Sequence, residues 1–324
     1  MRSGWPEDDT RVIELLSRRL ATMLLTMLAV SLLVFVVLEL SPGSVATKVL
    51  GPYSSAEQRQ LWLEAHGYTK PLVVRYFTWL GKMLRGDFGE SVRFKVPVRP
   101  LLWQRLANTA MLGLATFVVM IPLSLTLGVL AGMRAGSWQD RLISFVSIST
   151  TSVPEYASAV LLSAIFVFGL GWLPGTSSMA DGFAWRELML PTAVLVLYDF
   201  GYVTRMTRAS MAEVMTTAYI RTAILKGLPL RSVILKHALR NALIAPFTVI
   251  MLQVNWLLSG VIVVEFFFAY KGFGALLLEA SLNQDLYVIE ACTLVAVSVA
   301  VLTQTLADVG YAYLNPRLRW RAEQ

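Results

Sequence analysis

Apolar residues run in long blocks along this chain, and short polar stretches rich in Lys and Arg separate them. A bilayer-spanning helix needs about 20 mostly apolar residues. Six blocks qualify: Leu20 to Leu40, Asn108 to Met133, Leu142 to Gly171, Leu188 to Val203, Leu243 to Val264 and Val288 to Tyr311. In the first, a row of Leu, Val and Phe stands against one acid, Glu39, so the apolar term wins. The pattern predicts an all-α polytopic membrane protein of about six transmembrane helices. It divides into a tail at 1–19, a first span at 20–40, an external subdomain at 41–105, a membrane core at 106–313 and a tail at 314–324.

Composition agrees. The 324 residues are 56% hydrophobic and 15% charged, with mean hydropathy +0.61. Soluble domains run nearer 45–50% apolar and about 25% charged. The polar, partly acidic opening "MRSGWPEDDTRVIELLSRRL" and the length of the apolar run behind it argue against a cleaved signal. The net charge of +7 comes from cations that flank apolar spans instead of forming one soluble patch, which argues against nucleic acid.

Those cations set an orientation. Arg18 and Arg19 precede the first span, Arg134 and Arg141 frame the second–third loop, and Arg317, Arg319 and Arg321 follow the last span. Seven basic residues lie from Arg205 to Arg240, opposed only by Glu213. The loops 172–187 and 265–287 carry one basic residue each. The positive-inside rule therefore puts both termini and the 205–241 loop in the cytoplasm. Residues 41–105 fall outside despite ten basic and four acidic residues, because long loops escape the rule. Their turn signals and the aromatic stretch "YFTWLGKMLRGDFGES" predict an ordered external subdomain with an interfacial helix.

Catalytic chemistry is not visible. The sequence has no P-loop, no G-x-S-x-G and no H-E-x-x-H. His66 and His237 lack a metal-ligand spacing, and Cys292, the single cysteine, reads as a small packing residue. No cofactor is expected. Asp199, Glu290 and Asp308 lie in or near spans, where ionisable groups face the bundle or a cavity. Asp199 is the deepest; it reads as a pore or gate residue, or as a polar helix–helix contact. Glu290 and Asp308 read as interfacial. Pro122, Pro154 and Pro191 sit in or beside apolar runs and can bend them. In "SISTTSVPEY", Ser152 and its neighbours would line a water-filled path or bond between helices.

The segment "YIRTAILKGLPLRSVILKHALRNALIAP", from Tyr219, is basic without an acid. Leu230, Val233, Ile234 and Ala238 recur at helical spacing, and "RASMAEVMTTAYIRTAILK" before them also reads as helix. Gly227 permits an irregular turn and Pro229 suits a new helix start, so the prediction is helix–turn–helix at the membrane surface. Small Thr222, Ala223 and Gly227 would let another surface approach closely; a basic helix resting on anionic lipid is the alternative.

This segment resembles the cytoplasmic signature of binding-protein-dependent ABC importer permeases: Glu-Ala-Ala, three residues, Gly, then a later proline. Arg221-Thr222-Ala223, Gly227 and Pro246 fall on it, with Arg in place of Glu. That departure, and "VILKHALRNAL", look like the dipeptide/oligopeptide branch. "LELSPGS", "LRGDFGESV", "SVPEY", "GWLPGTS", "VVEFFFAYKGFGALLLEASLNQDLYVIEA" and "YAYLNPRLR" resemble the branch in order along nearly the whole chain.

The resemblance implies a type I ABC importer permease fold in a bacterial inner membrane. It implies a non-enzymatic subunit that forms half of a path for peptides, beside a second related permease. Two cytoplasmic P-loop ATPase subunits would supply energy, and an external solute-binding protein would deliver cargo. Arg221, Thr222, Ala223, Lys226, Gly227, Leu228 and Pro229 would form the coupling element; Ser152, Pro154 and Asp199 are the candidate path residues. Relatives of this branch carry nickel complexes, glutathione, opines and some oligosaccharides. A secondary transporter working alone, with Asp199 as its ion site, is the rival from another class, although the chain has no clear internal duplication.

Overall fold

The computed structural model describes residues 7–39, 46–47, 49–51, 53–179 and 182–314. The predicted turn at "SPGS", residues 1–6 of the N-terminal tail, the C-terminal tail beyond 314 and the Asp308 side chain lie outside them. Among the described residues the secondary structure is helical, apart from one isolated bridge between Glu90 and Pro97. The helices are α1 Glu7–Glu39, α2 Ala56–Ala65, α3 Leu72–Leu84, α4 Val98–Met133, α5 Trp138–Ser152, α6 Glu155–Gly169, α7 Trp185–Met215, α8 Ala218–Leu225, α9 Leu230–Ala242, α10 Ile244–Gly260, α11 Ile262–Phe267, α12 Phe273–Leu282 and α13 Leu286–Leu314.

All six predicted spans fall on helices, with three differences of form. Helix α1 begins at Glu7, so residues assigned to the N-terminal tail continue the first span. Pro122 stays inside an unbroken α4, whereas the third span is broken at Val153 and Pro154, where α5 and α6 meet at 100°. The fourth predicted span is only the first half of α7, whose second half carries Arg205 and Arg208. Two helices, Val98–Met133 and Leu286–Ala307, meet span length and hydropathy alone; the pairs α5–α6 and α9–α10, the latter bent by 50°, do so together.

The chain divides into two compact units. The first comprises residues 1–104 and 276–305. Its α2 starts with a reciprocal capping box: Ser55 accepts from the Gln58 N–H, and the Gln58 side chain accepts from the Ser55 N–H. Helix α3 buries Tyr76 and Met83, and Tyr76 meets Phe35 of α1 edge-on at 5.4 Å, with its hydroxyl 2.8 Å from that of Ser31. Asp285, immediately before α13, accepts from the Ser91 hydroxyl and, at 3.0 Å, from the Arg93 N–H. The Trp79 indole donates to Glu290 at 2.8 Å. Glu290 is near a span end, as expected, but buried instead of facing the interface.

The second unit comprises 105–275 and 306–324. Helix α7 is its centre, burying Leu188, Val194, Leu195, Phe200, Val203 and Met211 among others. Close helix approach depends on glycine. A Cβ on Gly201 would stand 2.1 Å from the Ser147 carbonyl oxygen of α5, and one on Gly128 of α4 would stand 2.4 Å from Thr207 Cβ. Small residues serve this purpose in membranes, where lipid gives apolar surfaces little reason to associate and close contact must supply the attraction.

Candidate functional site: a basic hairpin and the buried carboxylates behind it

The 205–241 stretch folds as α7, a two-residue break, α8, a turn and α9. The sequence reading carried helix through Thr216 and Thr217. The structure interrupts it there, as both hydroxyls turn back to main-chain carbonyls, on Glu213 at 2.7 Å and Val214 at 2.6 Å. Thr217 then takes extended backbone and opens α8. Gly227 ends the α8 turn at φ +76°, a left-handed conformation that costs glycine little. Pro229 caps α9 from outside, one position earlier than its predicted place inside the helix.

One face of the hairpin is fixed to its own protein. Ile220 and Ala223 of α8 pack with Met211 of α7 and with Val233, Ala238 and Ala242. This corrects the reason given for a small residue at 223: Ala223 seats α8 against α7 and α9, and it is not part of the outer face. Gly227 is also small for another reason, since a Cβ there would meet nothing within 4 Å and its conformation alone requires glycine. Leu230, expected on the inner stripe, is exposed.

The opposite face is open. Arg221, Thr222, Lys226, Gly227, Leu228 and Pro229 are exposed, and so are Ile224 and Leu225, the latter at 80%. Cations therefore alternate with uncovered apolar side chains. No acid occurs between Glu213 and Glu265 to neutralise them.

What holds the hairpin's base was not visible in the sequence. Asp140, in the first turn of α5, accepts two bonds from the Arg208 guanidinium, at 2.9 and 2.7 Å, and one from the Gly136 N–H at 2.8 Å. The Arg208 cation beside it holds the Asp140 carboxyl down at about 2, and the same pairing raises the guanidinium. This bidentate clamp ties α7 to α5 below the hairpin.

Deeper in the unit, Asp199 is fully buried and accepts from Gln253 Nε2 at 2.6 Å. Its Oδ2, and Oε2 of Glu155 just past the α5–α6 break, have no hydrogen-bond partner among the described residues. Tyr198 beside Asp199 stacks on Trp256 at 5.0 Å. Of the three candidate path residues Asp199 is buried, whereas Ser152 and Pro154 are exposed, and the Ser152 hydroxyl donates to the Ile148 carbonyl.

A second buried acid escaped sequence reading. Glu265 accepts from the Thr109 hydroxyl and, at 2.8 Å, from the Ala275 N–H; Thr109 in turn accepts from the Phe273 N–H at 2.7 Å. Tyr270 donates to the Asn108 carbonyl at 2.6 Å. A Cβ on Gly272 would overlap the Glu265 carboxylate, so "EFFFAYKGFG" is a strap wound about one acid. An acid inside an apolar run just before a Gly-rich turn was the signal available. Cys292 is buried, as read, and among the described residues no group of three metal-binding side chains forms.

Comparison with known proteins settles the framework of this arrangement. Residues 124–320 match the family described as binding-protein-dependent transport system inner membrane component. The chain belongs to that family. Its members carry the type I ABC permease fold, and permease subunits are not themselves catalytic. The chain is 34% identical over 301 residues to an oligopeptide transport system permease protein of Bacillus subtilis, covering 91% of this chain and 95% of the relative. It is 34% identical to a probable peptide ABC transporter permease protein of Sinorhizobium fredii, over 94% of this chain and 98% of the relative. It is equally similar, at 34% with 94% and 98% covered, to a glutathione transport system permease protein of Salmonella typhimurium.

Proposed function

We propose that this chain is the permease subunit of an ATP-driven importer for small peptides, forming half of the translocation path beside a second, related permease. The observation that carries the energy-coupling part is the hairpin: one face locked to α7 and α9, the other exposed, basic and apolar. Such an element seats in a groove lined with acidic and apolar side chains, which two cytoplasmic P-loop ATPase subunits would offer. Arg221 and Lys226 supply the charge, Leu225 and Leu228 the apolar contact, Thr222 the polar edge, and Gly227 and Pro229 the turn that presents them.

In this reading both termini and the hairpin face the cytoplasm, and residues 41–105 face the external solute-binding protein. When the ATPases close, the hairpin moves as a rigid lever. Its packing on α7 carries the shift into the spans, because packed interfaces move between discrete arrangements. The broken α5–α6 span, with Ser152 and Pro154 at its bend, and Asp199 on α7 are the proposed moving parts of the path. Peptide cargo rests on what the relatives in Bacillus and Sinorhizobium are named for. The equal likeness to a glutathione permease makes that tripeptide the second reading.

Gly227→Asp tests the assignment. The left-handed turn strains any side chain, and an acid opposes the basic face. Uptake of labelled dipeptide by cells carrying the complete system should be abolished while the variant still inserts in the membrane. Normal uptake by the variant would overturn the coupling role.

A further inference from the structure

Within the second unit, four buried polar atoms without a hydrogen-bond partner among the described residues fall on one seam. They are Glu155 Oε2 and Ser163 Oγ of α6, and Thr192 Oγ1 and Asp199 Oδ2 of α7. Asp199 and Ser163 are 0% and 7% exposed. Folded interiors leave few such groups unpaired. Glu155, Ala159 and Ser163 recur every fourth residue, and Thr192, Leu195 and Asp199 at spacings of three and four, so each set lies along one face of its helix. The two faces meet. Ala159 shares a core cluster with Leu188 and Leu195, and the charges of Glu155 and Asp199 reach one another. From that acid end, α6 advances to Ser163 and α7 runs back to Thr192 among the same apolar residues.

The α6 side of the seam lies between two irregularities. Glu155 follows the 100° bend at Val153 and Pro154, and Ser163 precedes a π-helical stretch, Ala164–Gly169. Such stretches gather at functional sites in helices. Gln253 donates to Oδ1 of Asp199 and leaves Oδ2 for another donor.

Two carboxylates inside an apolar bundle call for a cation. A bare metal ion fits poorly, because its oxygen ligands must converge, whereas two helical turns, about 10–12 Å, separate hydroxyl from acid on both helices. A ligand that serves all four groups is elongated, with a positive end and a body of hydrogen-bonding groups. An extended peptide of three residues covers about 10 Å and carries an ammonium at one end.

We infer that the α6–α7 seam opens during transport to hold a peptide, its terminal ammonium on Glu155 and Asp199 and its main chain along Ser163 and Thr192, an assignment that rests on the importer reading above. The buried state of these groups is then the closed seam, and cargo supplies the partners they lack.

Thiol labelling tests it. Cys292, the single cysteine, is replaced by Ser, and Ser163→Cys, Thr192→Cys and Val194→Cys are introduced singly; Val194 is buried on the opposite face of α7. The complete complex in lipid nanodiscs, without its external binding protein, is treated with a charged methanethiosulfonate, first resting and then with ATP held on hydrolysis-deficient ATPase subunits. Mass spectrometry of this chain should show Ser163→Cys and Thr192→Cys labelled about tenfold faster in one state than in the other, because labelling follows the open fraction. Val194→Cys should stay unlabelled in both. Trialanine should slow labelling of the open seam and N-acetyl-trialanine should not, and Glu155→Gln with Asp199→Asn should remove that difference. Seam cysteines unlabelled in both states, or Val194→Cys labelled alike, would overturn the inference. So would equal protection by the two peptides, which leaves the ammonium no role. ATP-driven uptake with a shut seam would sink this assignment alone, whereas uptake independent of ATP would sink the importer reading with it.

Discussion

Gly201 shows how little room single residues have in the second unit. Its α-carbon faces the Ser147 carbonyl so closely that an added methyl would sit 2.1 Å from the oxygen. Backbone cannot move aside as a side-chain tip can, so α5 and α7 would have to separate. Overpacking of this kind costs about 1–3 kcal/mol, and Gly201→Ala should lie at the upper end. A fall in the detergent-solubilised thermal midpoint checks it; an unchanged midpoint would mean that the two helices are not in contact.

The Asp140–Arg208 clamp makes a prediction of a different kind. The folded carboxyl titrates at about 2, below the ordinary value of 3.8. A depressed acid contributes stability above its unfolded pKa, and that contribution is lost as pH falls through the folded value. The unaltered chain should therefore be more stable than Asp140→Asn at pH 5 to 7, by at most roughly 2 kcal/mol after allowing for the part-exposed Arg208, and show it as a higher thermal midpoint. The gap should close between about pH 4 and pH 2. A gap independent of pH would assign the effect to shape and not to charge. Asp140 was silent in the sequence because a lone acid in a short loop is ordinary; only folding brings Arg208, 68 residues later, beside it.

At the scale of elements, the pattern of apolar runs located the spans, since a membrane imposes a simple length and polarity rule. It could not foresee that Pro154 would break its span while Pro122 would not. Both lie in apolar runs, and the difference rests on neighbours: Val153 is extended and Pro154 caps α6, while α4 continues past Pro122. The helix–turn–helix at the hairpin was legible from Gly227 and Pro229, because left-handed backbone and a fixed φ have few substitutes. Which side of α8 faced inward was not, since Thr222 and Ala223 are adjacent and neither is bulky enough to mark a core face. The exposed face yields its own prediction. Leu225→Asp with Lys226→Glu should leave the chain in the membrane but abolish capture of ATPase subunits by the tagged chain, and equal capture would show that the contact lies elsewhere.

At the scale of the molecule, the chain joins two compact units, one holding α1 to α3 and most of α13, the other holding the hairpin and Asp199. The sequence reading singled out neither Glu265, which is buried, nor Glu155, which is half-buried beside the α5–α6 bend; Glu265 stands just past an apolar run, where an acid reads as interfacial, and Glu155 lies in a polar stretch read for its Ser, Thr and Pro. Family membership fixes the framework, and the exposed basic face of the hairpin is the surface proposed to meet an ATPase. The most direct test is to purify the tagged full chain from native membranes and identify what accompanies it by mass spectrometry. A second permease and P-loop ATPase subunits in fixed ratio are expected, and they should be lost from the Leu225→Asp, Lys226→Glu variant. A chain recovered alone, or with copies of itself and no ATPase, would contradict the coupled-importer account.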